Sequence, residues 1–414
     1  MVDMNPREAA YLALLSSSRE EVFIANFLEQ WRLSTQPSSL DLHFAQQLAN
    51  GTSQMSLSLD YLAVQLNDGK KISIKQKERL LLRLSLFQFY FLDRVPIYAI
   101  ADEMMDIANR YCHRSFTSFL NFLLRKLPQA NLNLPAGDDA ESLSIRFSYP
   151  LYFVKNLRSH YSVETTKQIL ESGNKPAPVM ARIRSERLCQ EQTGFPIICS
   201  TPLPVAVIKD PILFQTIAES SHYYIQNATP ATLLGNLCLL DWPPSRILDL
   251  CASPGGKLLA VADAFPDAQL YANDLSLDKM IRLQKNCEKY GIHATLSCMR
   301  GEDFTSEKPF DLIILDVPCS NSGVLNKRSE ARWRLSEENI LKLKELQKQL
   351  FEHALSLLAT NGEIWYMTCS ILPEENEDFI SEMCQSYSLK IRQRQTILPN
   401  AEGWDGGFAC ALTR

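Results

Sequence analysis

The chain has 414 residues, too many for one ordinary core, so two or three domains are expected. It is 46% hydrophobic and 21% charged, with a net charge of −5 and no low-complexity tract, which is the composition of a soluble globular protein and not of a uniformly basic nucleic-acid binder. No stretch reaches the apolar length needed to span a bilayer, and "MVDMNPREAA" lacks a basic-then-apolar leader, so no membrane partner and a cytoplasmic location are expected.

Residues 5–127 read as helical throughout. Apolar residues recur at helical spacing in "AAYLALL", "LDYLAVQL", "RLLLRLSLFQFYFL" and "FTSFLNFLLRKL". Pro96 stands near a helix start, where its missing N–H does no harm. The aperiodic "LPQANLNLPAGDDAES" (127–142) reads as a linker, closing a first domain over 1–135. From 143 to 230 the pattern is mixed, punctuated by Pro176, Pro178, Pro196, Pro202 and Pro204, and is expected to form a small α+β connecting region. Its run Arg146, Lys155, Arg158, Lys167, Lys175, Arg182, Arg184 and Arg187 is either a phosphate-binding surface or a solvated basic face.

From 231 to 414 strands and helices alternate. "RILDL" (246–250), "AQLYAND" (268–274), "HATLSCMRG", "PFDLIILDVPCS" and "GEIWYMTCS" read as strands. "GGKLLAVADAF", "SLDKMIRLQKNCEKYG" with Gly291 at its end, and "SEENILKLKELQKQLFEHALSLL" capped by Ser336 read as helices. The alternation predicts an α/β domain with a doubly wound, mainly parallel sheet, whose ligands sit at the carboxyl ends of the strands.

"LDLCASPGGK" (248–257) is a strand running into a glycine turn at a helix start, where backbone can approach an anionic group closely. Asp274, closing the next strand, can accept from both hydroxyls of a ribose. The loop is neither G-x-G-x-x-G nor a Walker A loop, because Leu258 follows Lys257. S-adenosylmethionine suits it better than a nicotinamide cofactor. Eleven cysteines are scattered without any C-x-x-C, which argues for free thiols, and the histidines show no metal-ligand spacing, so no metal is expected. Free cysteine packs readily in cores, which explains most of the eleven. Cys319 and Cys369 differ, because each stands at the loop mouth after an apolar strand and precedes a serine.

"LDLCASPGGK", "ILDVPCSNSGV" and "YMTCSILPEEN", in this order and spacing, resemble the Sun-type RNA cytosine-5 methyltransferases of bacteria. "GWDGGFACALTR" is similar to that family's closing strand, and residues 5–127 resemble the NusB-like helical RNA-binding domain of the branch that modifies 16S ribosomal RNA. The resemblance implies a Rossmann-like class I methyltransferase domain over 231–414. In its sheet the strand ending in Cys369 lies beside the strand ending at Cys319, which also borders "RILDL". It implies S-adenosylmethionine held by Cys251, Ala252, Ser253, Pro254, Gly255, Gly256, Lys257, Asp274 and Asp316, with Glu302 or Asp303 on the adenine side. It implies Cys369 as the nucleophile that adds to C6 of a cytosine, Cys319 as the group that assists release, and Asp316 against the base edge. The implied partner is 16S ribosomal RNA, naked or in a partly assembled small subunit, met by a monomer.

Departures from the family pattern fall on substrate fit. "LNKRSEARW" (325–333) lacks the usual proline, although Lys327, Arg328, Arg332 and Trp333 could contact phosphate or stack on a base, and Asn227 stands where an aspartate is usual. Two other readings remain open: an RNA-binding ribosome-assembly protein with an inactive methyltransferase domain, and an amino-methyltransferase. Both thiols, Asp316 and the glycine loop argue against the first. The second would need no thiol and commonly carries Asn/Asp-Pro-Pro-aromatic where this chain has "DVPC".

Overall fold

Helix starts in the first part of the chain are written in its polar residues. Asn5 accepts from the Glu8 N–H at 2.9 Å at the head of Pro6–Ser18, Ser38 caps Ser39–Gln54, and Glu78 reaches back to the Lys75 N–H ahead of Gln76–Phe91. Pro96 occupies the N-cap of Ile97–Tyr111. These helices, with Ile24–Thr35, Ser56–Leu66 and Arg114–Lys126, bury Tyr11, Leu48, Leu59, Leu84, Ile107 and Leu120 completely. Glu8 lies almost buried among them and accepts from Arg110 and from the Tyr111 hydroxyl, each at 2.7 Å, so its charge is paired.

The structure is a computed structural model that describes residues 4–19, 22–184, 197–199, 203–328 and 330–414, without the side chains of 197–199 and 211–212. Pro196, Pro202 and Arg187 lie outside the described residues. The chain divides into two compact units, Met1–Leu170 and Glu171–Arg414. This division falls later than the linker at 127–142. Helices Ala140–Phe147 and Leu151–His160 stay with the first unit because the Leu57 N–H donates to Ser148 Oγ at 3.0 Å and Ser58 Oγ to the Ile145 carbonyl at 2.6 Å. The stretch 143–230 therefore contributes helices to one unit and strands to the other.

In the second unit a small antiparallel sheet has the order β2-β3-β1-β4, from β1 (Val179–Ile183), β2 (Ile197–Cys199), β3 (Val205–Ile208) and β4 (Tyr223–Ile225). The large sheet has the order β10-β11-β9-β8-β5-β6-β7. Its strands are β5 (Arg246–Asp249), β6 (Gln269–Asp274), β7 (Ala294–Cys298), β8 (Phe310–Asp316), β9 (Leu358–Thr368), β10 (Lys390–Ile397) and β11 (Gly407–Thr413). β9, β8, β5, β6 and β7 run parallel, and β11 is antiparallel to both its neighbours. Alternate residues of one strand enter opposite cores. Leu312, Ile314, Trp365 and Met367 pack on one face of the sheet, and Ile313, Leu315, Ile364 and Tyr366 on the other. With both faces covered, the central strands read as continuous apolar runs. β10 has no such run: "KIRQRQTI" is an edge strand with no fully buried residue, which hid it from the sequence.

The basic run is mostly paired. Arg146 and Lys167 share Asp138 in the first unit, and Arg184 grips Asp263 in the second. Arg182 is fully buried, its Nη1 on the Gly256 carbonyl at 3.2 Å. Buried or paired, these four cations are not free for phosphate, whereas Lys155 and Lys175 of the same run stay exposed.

The closing segment of the chain is tied to the loop after β8. The Gly406 N–H donates to the Gly323 carbonyl at 2.7 Å, and a Cβ on Gly323 would lie 2.5 Å from the Gly406 oxygen. Asn227 secures the same segment by accepting from the Asp405 N–H and donating to the Gly403 carbonyl, both at 2.9 Å. The donation needs an amide, so asparagine has a structural role at 227 that an aspartate could not fill in the same way. Gly323→Ala is expected to destabilise the protein by about 1–3 kcal/mol, the usual cost of forcing atoms into a packed site. Chemical denaturation of the full chain checks it.

Candidate active site

The carboxyl ends of β5, β6, β8 and β9 bring the expected site residues to one edge of the sheet. After β5 the loop turns at Ala252–Gly255, closed by the Gly255 N–H on the Ala252 carbonyl at 2.7 Å. Gly255 has φ +105°, and a Cβ on Gly256 would meet the Tyr224 ring at 2.8 Å, so each glycine has its own reason. Ser253 donates its N–H to Asp274 Oδ2 at 3.2 Å, fixing loop and acid together. Lys279 approaches Asp274 at 3.4 Å.

Asp249, at the end of β5, is a residue the sequence did not single out. It is buried, neither carboxylate oxygen has a hydrogen-bond partner, and burial pushes its carboxyl up to about 7. Lys257 pulls that value down, and Asp316 opposes the pull. Lys257 is itself paired with Asp316. Burial works against the lysine's charge, but Asp316, Asp249 and the Cys369 sulfur outweigh it and raise its pKa. Burial, then Asp249, Asp316 and Asp274, push the Cys251 thiol far up, so Cys251 is no thiolate and fits a lining role.

Three acids, set against Lys257 paired with Asp316 and the more exposed Lys279 beside Asp274, make this edge more favourable to a cation than to a pyrophosphate. An orphaned buried carboxylate beside an acid suited to ribose hydroxyls fits a nucleoside that carries positive charge, as S-adenosylmethionine does. Glu302 and Asp303 follow β7 in a short turn. Glu302 is turned inward, its side chain 21% exposed and paired with Arg300 at 3.1 Å, whereas Asp303 is 68% exposed.

The two cysteines meet. Cys319 Sγ lies 3.3 Å from Cys369 Sγ, and Asp316 is in register with Met367 across β8 and β9. The hydrogen bond to Cys369, then burial, hold the Cys319 thiol well above its ordinary value. Beneath the thiols is a buried polar network that the sequence hinted at only through its repeated Cys-Ser. Glu375 accepts from the Ser320 N–H at 2.9 Å, from Ser320 Oγ at 2.5 Å, from Ser370 Oγ at 2.6 Å and from Gln347 Nε2 at 3.0 Å. Ser322 and Ser370 touch at 2.9 Å, and the Gly323 N–H donates to the Cys369 carbonyl at 2.9 Å. Lys327 pairs with Asp405 at 2.6 Å and Arg332 is fully buried on the Gly173 carbonyl and Asn174, so neither offers a free cation to phosphate. Arg328 stays exposed and Trp333 is half-buried. The nine cysteines whose side chains are described are all free.

Residues 238–412 match the family model described as 16S rRNA methyltransferase RsmB/F, and residues 4–129 match the NusB family. The ribosomal RNA small subunit methyltransferase B of Escherichia coli (strain K12) is 26% identical over 411 aligned residues, covering 92% of each chain. Its namesake in Photorhabdus laumondii is 28% identical over 369 residues, 82% of this chain and 84% of the other. Among solved structures, PH0851 is 20% identical and covers all of this chain and 99% of its own, with a TM-score of 0.78. A methyltransferase homolog protein from Pyrococcus horikoshii is 21% identical and covers 66% of this chain and 98% of its own, with a TM-score of 0.57. At these identities the two structures bear on fold alone.

A positive ligand facing Asp249 would draw it into its ionised form. Affinity for S-adenosylmethionine is therefore expected to rise with pH through about 7, with proton release on binding. Calorimetry in buffers of different ionisation enthalpy checks both, and Asp249→Asn should abolish the proton release. A flat profile would mean that Asp249 does not face the ligand.

Proposed function

Because residues 238–412 match the RsmB/F methyltransferase model and residues 4–129 match the NusB family, we propose that the protein methylates C5 of a cytosine in 16S ribosomal RNA through a covalent adduct of Cys369 with C6 of the base. The observation that carries this reading is the contact of two thiols at 3.3 Å, at the strand ends beside the Lys257–Asp316 pair. Its place of action is where the small ribosomal subunit is assembled, in the bacterial cytoplasm.

S-adenosylmethionine supplies an electrophilic methyl group. C5 of cytosine is a poor nucleophile toward it. Addition of the Cys369 thiolate to C6 breaks the ring's conjugation and makes C5 electron-rich, dividing one difficult step into several. C5 then takes the methyl group, a base removes the C5 proton, and the thiolate leaves as the ring's conjugation returns. Asp316, steadied by Lys257, is suited to the N3 and amino edge of the base. Ala252, Ser253, Pro254, Gly255 and Gly256 shape the wall around the cofactor, Asp274 takes its ribose, and Glu302, the more inward of the two acids after β7, stands on the adenine side.

The thiols differ in a way that supports this assignment. The first cause keeping Cys319 protonated is its hydrogen bond to Cys369, with burial second, so Cys319 is the thiol that holds its proton toward the neighbouring sulfur. Once Cys369 is bonded to carbon its charge is gone, and that hold on the Cys319 proton is released. Cys319 can then lose its own proton to solvent and, as a thiolate, take the C5 proton. Adduct formation thus converts Cys319 from donor to base at the stage where a base is needed.

Cys319→Ala is expected to accumulate an RNA–protein adduct that survives a denaturing gel, Cys369→Ala to form no adduct and lose methyl transfer, and the double variant to form none. Absence of an adduct in every variant would favour an inactive domain or an amino-methyltransferase. An adduct in Cys369→Ala would exchange the two roles.

A further inference from the structure

Asn321 lies between the two cysteines and has no part in the chemistry above. Its backbone is left-handed, with φ +59°, uncommon for a residue that carries a side chain. This turn brings the amide back over its own loop. Nδ2 donates to the Cys319 carbonyl at 3.0 Å, and Oδ1 accepts from the Cys369 thiol at 3.3 Å. The carbonyl fixes which end of the amide faces the sulfur. A carbonyl takes only a donor, so the NH₂ must point to it and the oxygen must point to Cys369. A thiol has one proton. If the Cys369 proton goes to Asn321, it cannot go to Cys319, and the 3.3 Å contact between the sulfurs must run from the Cys319 S–H to the Cys369 sulfur.

We propose that Asn321 sets the direction of the hydrogen bond between the two thiols and holds resting Cys369 as a thiol. The Cys319 proton is thereby already aimed at the Cys369 sulfur when that sulfur loses its own proton. The same amide oxygen faces the sulfur with a lone pair, which makes the resting thiol slow toward stray electrophiles. The loop is otherwise secured by Glu375 and the serines, none of which touches the Cys369 sulfur, so the amide's effect is separable from the loop's stability.

This rests on the two-thiol reading for its significance, but its test does not need RNA. The full chain is treated with iodoacetamide at neutral pH, and alkylation of each cysteine is followed by mass spectrometry of its peptide. Asn321→Gly keeps the left-handed backbone without strain, and Asn321→Ala removes the same amide with some. Both should alkylate Cys369 about two- to tenfold faster than the parent chain, the size of one hydrogen bond. Asn321→Asp, of the same shape but with a charged acceptor, should be slower than the parent. Buried Cys410 serves as the internal reference and should stay protected in all three. The proposal is overturned if Cys369 in the glycine variant is unchanged or slower, if the aspartate variant is faster, or if Cys410 accelerates in parallel, which would report loosening and not a lost hydrogen bond. Methyl transfer by Cys369→Ala would overturn the nucleophile assignment while leaving the alkylation result standing.

Discussion

A single buried carboxylate holds the reactive loops together. Glu375 has no exposed surface, and taking such a group out of water is unfavourable by several kcal/mol unless its lone pairs are occupied. Here the Ser320 N–H and hydroxyl, the Ser370 hydroxyl and the Gln347 amide occupy them. Ser320 follows one cysteine and Ser370 the other, so one charge fixes both loops at once. The contact between the thiols depends on this clamp more than on anything the cysteines do themselves. Gln347 also donates to the Pro318 carbonyl at 3.0 Å, which ties the long helix Glu337–Leu357 to the same point. Removing any one donor would leave a buried charge short of a partner, so the network is expected to behave as a unit.

The second constraint is electrostatic. Asp249, Asp274 and Asp316 end three neighbouring strands, and parallel strands deliver their ends to one edge. Burial first, and then the charge of the neighbouring acids, make Asp249 the hardest of the three to ionise. Lys257 relieves part of it and is itself held charged by the result. The edge therefore stores unfavourable charge that a positive ligand can relieve, a reason for preferring a sulfonium nucleoside over a pyrophosphate cofactor. The nearby thiols feel the same field. Cys251 is silenced by burial and then by this field, while the hydrogen bond to Cys369, with burial, keeps Cys319 a thiol.

Much of this was legible in the sequence. Apolar periodicity, glycine at 291, serine at 336 and the strand–helix alternation determined the helical first part, the doubly wound sheet and which strand each motif would end, because these depend on local spacing and capping that a few neighbouring residues settle. The loop 251–257, Asp274, Asp316 and both cysteines stand at the sheet edge where the sequence put them, since strand ends are fixed by where apolar runs stop. Only the tertiary structure decided the rest. That residues 143–170 belong with the first unit depends on contacts across about 90 positions of chain, such as Ser58 with Ile145. Arg182 and Arg332 look like surface cations and are fully buried, because their partners are carbonyls and acids from distant segments. Asp249 reads as an ordinary strand residue until burial leaves both its oxygens without partners. Asn321 is one polar residue in a loop until its left-handed turn sets it between the Cys319 carbonyl and the Cys369 sulfur. Burial and partnership are properties of packing among residues far apart in sequence, and no local pattern encodes them.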